Sequence, residues 1–241
     1  MELGSFWSDG MVRVSGREYN GLIDSPCFKH AGEKSGMSCF SCHLLHKSED
    51  DGRSLEAWQD DQLKVGMRTN KACLQCHQEY GRDLTSHTRH AVGSSGSLCY
   101  NCHMPHTTYG LLKAMRSHQV DSPNAQASLS TGRPNACNQC HLDKTLAWTG
   151  RELASGWGVE SPEFSEEQGA VAASVVWAVT GDAAQRALMA WSMGWEPARE
   201  ISGEDWQPMI LSQLLADPYP AVRFIAARSL RSLPGFEEFD Y

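Results

Sequence analysis

The 241-residue chain is poor in ordinary core material: its mean hydropathy is −0.44 and 9% of its residues are aromatic. No stretch approaches the ~20 apolar residues that cross a bilayer, so no membrane-spanning helix is expected. Basic residues are scarce, with 21 Lys and Arg against 29 Asp and Glu and a formal net charge of −8. No basic stripe is available to neutralise phosphates, which excludes nucleic acid as a partner. The opening Met1-Glu2-Leu3-Gly4-Ser5-Phe6-Trp7 lacks the basic and apolar regions of a secretory signal. Strand-like alternation is almost absent, so short helices and long loops are expected. Neither cysteine nor histidine occurs after His141.

Before that point the chain is dense in both. Eight of its nine cysteines fall in four Cys-x-x-Cys-His motifs: Cys39-Phe-Ser-Cys42-His43, Cys73-Leu-Gln-Cys76-His77, Cys99-Tyr-Asn-Cys102-His103 and Cys137-Asn-Gln-Cys140-His141. This is the attachment signature of c-type haem. Two thiols three positions apart can each add to a vinyl group of one porphyrin, while the adjoining imidazole ligates iron from beneath the ring. Each motif therefore predicts one covalent haem c, four in all, with His43, His77, His103 and His141 as proximal ligands.

Other uses of paired cysteines fit less well. Zinc closes a tetrahedral site with four ligands and needs no histidine immediately after every second cysteine. A thioredoxin-like motif would occur once, in a βαβ context that is not found. Disulfides between residues three apart would be strained and would leave the histidines unexplained.

Three segments follow. Residues 1–36 read as an irregular, Gly-rich arm, with glycines at 4, 10, 16, 21, 32 and 36, packing over the first haem. Residues 37–150 read as a tetrahaem module in which porphyrins replace side-chain core, as staples do in other small domains. Short helices are expected over Leu55–Val65 and Thr69–Tyr80, with Gly and Pro breaking the chain repeatedly elsewhere. Residues 151–241 carry apolar positions at helical spacing. Helices are expected over Glu166–Thr180, Ala183–Trp195, Glu204–Ala216 and Ala221–Leu233, the last capped by Asp217 with Pro220 in its first turn. Two such pairs are HEAT-like, although a plain four-helix cap reads equally well. The fold class is thus mainly α with long loops, a haem-organised module followed by a helical region.

Six further histidines are candidates for the opposite face of the irons: His30, His46, His87, His90, His106 and His118. His87 and His90 would share a helix face and could reach two neighbouring irons. His46 follows His43 too closely to ligate the same iron from the other side, so it must reach another. Met37, Met67, Met104 and Met115 read as packing material against porphyrin rather than thioether ligands. Arg82, Arg89, Lys113, Arg116, Arg133 and Lys144 are candidates to pair with propionates, and Tyr100 and Tyr109 to stack on rings. Cys27, the odd cysteine, reads as a free buried thiol.

The stretch from about Phe6 to Gly158 resembles the multihaem c-type cytochromes whose tetrahaem module is joined to tetratricopeptide or HEAT-like repeats. The resemblance rests on Gly16-Arg-Glu-Tyr-Asn-Gly21, Ser41-Cys-His-Leu-Leu-His46, His87-Thr-Arg-His90, Cys102-His-Met-Pro105, Arg116-Ser-His118 and Pro134-Asn-Ala-Cys-Asn-Gln-Cys-His141. It implies His46, His87, His90 and His118 as distal ligands. His106 departs from the pattern, and His30 has no counterpart in it.

Electron transfer through mostly bis-histidine haems is the leading expectation, because a saturated iron passes electrons but admits no substrate. The alternatives are a reductase or oxidoreductase of a small nitrogen or sulfur compound at one open haem, and a subunit of a polymeric cytochrome filament. Partners would be redox proteins docking on the acidic surface, or copies of the chain itself. Covalent haem attachment takes place outside the cytoplasmic membrane, which implies a periplasmic or extracellular protein. Its export signal would lie upstream or be already removed, the chain being a mature form or part of a longer polypeptide.

Overall fold

The computed structural model describes residues 4–30, 36–110 and 112–241, and it is mainly helical. Gly32 of the expected arm lies outside the described residues. The longest helices, Leu146–Trp157, Ala183–Gly194 and Pro220–Leu230, all lie in the C-terminal part. Apolar residues recurring every three to four positions put one stripe of each against its neighbours. Leu142, Leu188, Met189, Met193, Leu211, Ile225 and Leu230 are sealed there within a single cluster. Among the described residues between Gly36 and His141, the buried apolar ones apart from Pro105 and Pro134 are Trp58, Ala114, Ala125 and Ala136.

Several boundaries differ from expectation for local reasons. The Glu166–Thr180 span divides into Glu166–Ala170 and Ala173–Thr180. Val171 is extended, and Ala172 bridges to Thr145 while the Ala173 amide donates to the Lys144 carbonyl. Ala183–Gly194 starts on a capping box, Asp182 with Gln185, as the Gly181-Asp182 break suggests. Leu55–Gln59 stops short because Gln62 turns left-handed and Leu63 bridges back to His43. The span expected over Thr69–Tyr80 divides into helix Lys71–Leu74 and the 3-10 turn Gln78–Gly81. Helix Leu146–Trp157 spans residue 150, where the module was expected to end.

Strand structure, nearly absent from the sequence pattern, occurs as one antiparallel hairpin, His106–Gly110 with Lys113–Arg116. Thr107-Thr108-Tyr109 supplies β-favouring residues, but too few to alternate visibly. The N-terminal segment is more than a wrap. Trp7 and Met11 join the helical core, and the Trp7 indole donates to the Thr107 carbonyl at 3.0 Å. Two short helices follow, Glu18–Asp24 and Pro26–His30. Gly21 lies against the 118–119 backbone, where a Cβ would come within 2.8 Å of the Gln119 nitrogen. Ser25 donates to the His118 carbonyl at 3.0 Å and accepts from the Val120 amide at 2.9 Å.

Asp217 does not cap the last helix. It accepts the Tyr219 amide at 2.8 Å and grips the Arg186 guanidinium through two bonds of 2.6 and 3.0 Å, joining helices Ala183–Gly194 and Pro220–Leu230. Burial alone would raise its pKa, but the Arg186 bond, the Tyr219 amide and the charges of Arg186 and Arg223 outweigh that and hold it low. A carboxyl whose folded pKa lies below its unfolded value of about 3.9 contributes stability above that pH and loses it as pH falls through the folded value. Asp217→Asn is therefore expected to cost about 2–3 kcal/mol at neutral pH. In denaturant titrations the deficit should close in acid, and a pH-independent deficit would contradict the assignment.

Candidate cofactor-binding sites

Each motif occupies a short helical turn: Cys39–Ser41, Lys71–Leu74 leading into His77, Cys99–His103 and Ala136–Cys140. In three of them the histidine amide donates to the carbonyl of the first cysteine, at 2.9 Å for His43, 3.0 Å for His77 and 2.9 Å for His141. That i to i+4 closure puts first cysteine and histidine on one face. No motif cysteine is in a disulfide, so all eight thiols are available for addition. Cys27 is likewise a free thiol, partly buried in the Pro26–His30 helix.

The second, third and fourth motifs meet in chain order. Asn70 donates to the Ser97 carbonyl at 2.7 Å and accepts the Cys99 amide at 2.9 Å, tying the second motif to the third. The Cys73 and Cys99 thiols lie close enough to share a proton, which raises the pKa of Cys73 and lowers that of Cys99 to about 7. Burial pushes Cys102 to about 11 and both Cys137 and Cys140 to about 12, with Cys102 within electrostatic reach of the latter two. An apolar cleft of about 520 Å³ opens beside the second and third motifs, walled by Leu74, Leu84, Val92 and Leu98.

Six of the ten histidines stand in three pairs. His43 faces His118 with ring centroids 6.2 Å apart, His103 faces His87 at 6.1 Å, and His141 faces His90 at 6.2 Å. Two imidazoles on one metal ion, each bonded at about 2 Å with its ring centre about 1.1 Å beyond the nitrogen, have centroids about 6.2 Å apart. Each pair joins a motif histidine to one outside any motif, and so fits an iron held between them. Among the described residues no cluster of three or more His, Cys, Asp or Glu could hold a bare metal ion. A porphyrin-bound iron asks only two donors of the protein.

The rings are also oriented. His43 Nδ1 is 2.8 Å from the Asp61 carbonyl and His103 Nδ1 is 2.8 Å from the Asp121 carbonyl, each eighteen residues downstream. A ring that donates through Nδ1 leaves the Nε2 lone pair free for a metal. His90 Nδ1 meets the Thr88 carbonyl at 2.6 Å. Burial lowers the pKa of His87, His118 and His141, favouring the neutral form a metal requires. The Asp61 carboxylate is held by Arg53 and Arg68, and Asp121 by Arg133, which also binds Asp9. Arg133 is therefore already engaged, as are Lys113 with Asp60 and Lys144 with Asp143.

His87 and His90 lie on either side of Arg89, whose left-handed backbone (φ 59°) ends helix Leu84–Thr88 and turns the two rings apart. They do not share a helix face. Arg89 donates to the Gly156 carbonyl at 3.0 Å, and the Trp157 indole donates to the His87 carbonyl at 2.6 Å. Helix Leu146–Trp157 thus holds the turn that presents both rings.

The other four histidines are placed differently. The ring beside His77 is that of Tyr80, at 6.1 Å. His46 and His30 are exposed, and no imidazole faces either. His106 is buried against Trp191 and Trp195, its backbone bonded in both directions by the Gln139 amide at 2.8 and 3.0 Å. That placement makes it a core histidine linking the hairpin to the helices.

Asp61, Asp121 and Asn70 escape a reading based on the motifs alone. A repeat would have pointed to the first two, each eighteen residues after a motif histidine. Ala72-Cys-Leu-Gln-Cys-His77 matches Ala136-Cys-Asn-Gln-Cys-His141, and the first and third motifs share an aromatic after the first cysteine and a histidine three beyond the motif. Comparison with protein-family models, curated proteins and solved structures finds no match to the chain.

Proposed function

We propose that the chain is an extracytoplasmic multihaem c-type cytochrome that carries electrons through four covalently bound haems. The observation that carries this reading is the set of three histidine pairs at the spacing of two axial ligands, each including the histidine of a Cys-x-x-Cys-His motif. Cys39 and Cys42, Cys73 and Cys76, Cys99 and Cys102, and Cys137 and Cys140 would hold the porphyrins. His43 with His118, His103 with His87, and His141 with His90 would close three irons, and His77 would ligate the fourth. Bound haem supplies one-electron redox chemistry.

The chain's own contribution is distance, orientation and charge. Contact between the second, third and fourth motifs would bring their porphyrins near enough for stepwise tunnelling. Carbonyls behind His43 and His103 fix ring orientation. Arg116 has its pKa lowered to about 10, chiefly by burial, and so stays charged at neutral pH near Cys102 and Cys140, where it favours an added electron. Its guanidinium is fixed by the Tyr100 and Met104 carbonyls and by Asn101.

The helices from Ala173 to Leu230, HEAT-like in this reading, serve as a docking or assembly surface for redox partner proteins or further copies. Among the described residues no helix is long and apolar enough to cross a membrane. Intact-mass measurement of matured protein, with its optical spectrum, tests the proposal. The expected result is polypeptide plus four haems with predominantly low-spin bands. A colourless protein of polypeptide mass would refute it.

A further inference from the structure

The four sites are not equivalent. All ten histidines lie among the described residues. The six in pairs are each partly buried, whereas the His77 side chain is 51% exposed, with the Glu79 carboxylate 3.8 Å from its Nδ1. Its ring neighbour, Tyr80, cannot complete the site. Three residues downstream and inside the Gln78–Gly81 turn, it follows His77 too closely to reach the opposite side of the same iron. Its ring packs instead on His87, at 4.3 Å. Of the remaining histidines, His106 is sealed behind tryptophans, while His30 and His46 point to solvent with no imidazole opposite.

We propose that the iron held by Cys73, Cys76 and His77 keeps its sixth position exchangeable and accepts small σ-donor ligands from solution, while the other three are closed by protein imidazoles. This rests on the four-haem reading above and adds to it a ligand-accepting site of defined position. Exposure at His77 supplies access, and the Asn70 clamp puts that site in direct contact with the third, so electrons passing along the array reach the iron that solution ligands can meet.

The test uses matured full-length protein at several concentrations. Low-temperature electron paramagnetic resonance is expected to show one high-spin iron in four, and cyanide or free imidazole should convert that iron alone to low spin, one ligand per chain. His46→Ala and His30→Ala should leave this stoichiometry unchanged. His118→Ala, His87→Ala and His90→Ala should each raise the high-spin count from one to two, identifying the native open site as the second motif by elimination. Four low-spin irons in wild type that take up no ligand would overturn the inference, as would a high-spin signal appearing only in His46→Ala or His30→Ala. A high-spin fraction that vanishes at high concentration would also overturn it, by showing closure by a second copy. Mass spectrometry on the same samples separates these outcomes from failure of the parent reading, since a chain without haem carries no added mass.

Discussion

Replacing all eight motif cysteines with alanine is expected to unfold the segment from Gly36 to His141 while leaving the helices beyond Leu142 folded. The expectation follows from where apolar burial is found. The buried apolar residues described there, Trp58 with three alanines and two prolines, cannot offset the chain entropy of a segment that long. Leu142 through Leu233 holds most of a single core. A porphyrin burying on the order of 400 Å² would contribute about 10 kcal/mol at about 25 cal/mol per Å², comparable to the whole stability of a domain. Limited proteolysis should leave a resistant fragment beginning near Leu142 and ending near the C-terminus. Circular dichroism should retain a cooperative melt from the surviving helices. If the cysteine-free chain resists protease throughout, the porphyrins are not its missing interior.

Gly96→Ala is expected to change the spin state of an iron although Gly96 ligates nothing. The residue sits in the short Ser95–Ser97 turn, and an added Cβ would lie 2.5 Å from His90 Cγ and 2.8 Å from its Nε2. Real Cβ atoms do not approach that closely, so either the turn or the ring must move. The turn is held by the Ser97 hydroxyl on Ser94 and Gly93, by Asn101 on the Ser95 carbonyl and by Asn70 on Ser97. The ring has one bond, to Thr88, and should yield. One previously low-spin iron should become high-spin, as in His90→Ala, and free imidazole should restore it. A spectrum identical to wild type would mean the turn gives way instead.

What the sequence disclosed and what it hid divide along physical lines. The C-terminal helices were legible because burial there repeats with helical period, and Asp182 and Pro220 mark two starts. The break at Val171 was not, because it depends on a bridge to Thr145 from another part of the chain. Motif chemistry is local and could be read residue by residue. Pairing is not: His43 meets His118 only through the hairpin and the Ser25 brace, neither of which leaves a periodic trace. His87 and His90, at helical spacing in the sequence, are parted by the left-handed Arg89 between them. The same is true of Asp217, whose position suggests a cap until Arg186 arrives from the neighbouring helix.

The turn at Arg89 makes one lever of two candidate ligands. Since a single peptide carries the rings that face His103 and His141, and its anchors are Gly156 and Trp157, slackening of that peptide releases both rings in concert. Warming should accordingly uncouple these two centres in one step, at the temperature where the end of the Leu146–Trp157 helix frays.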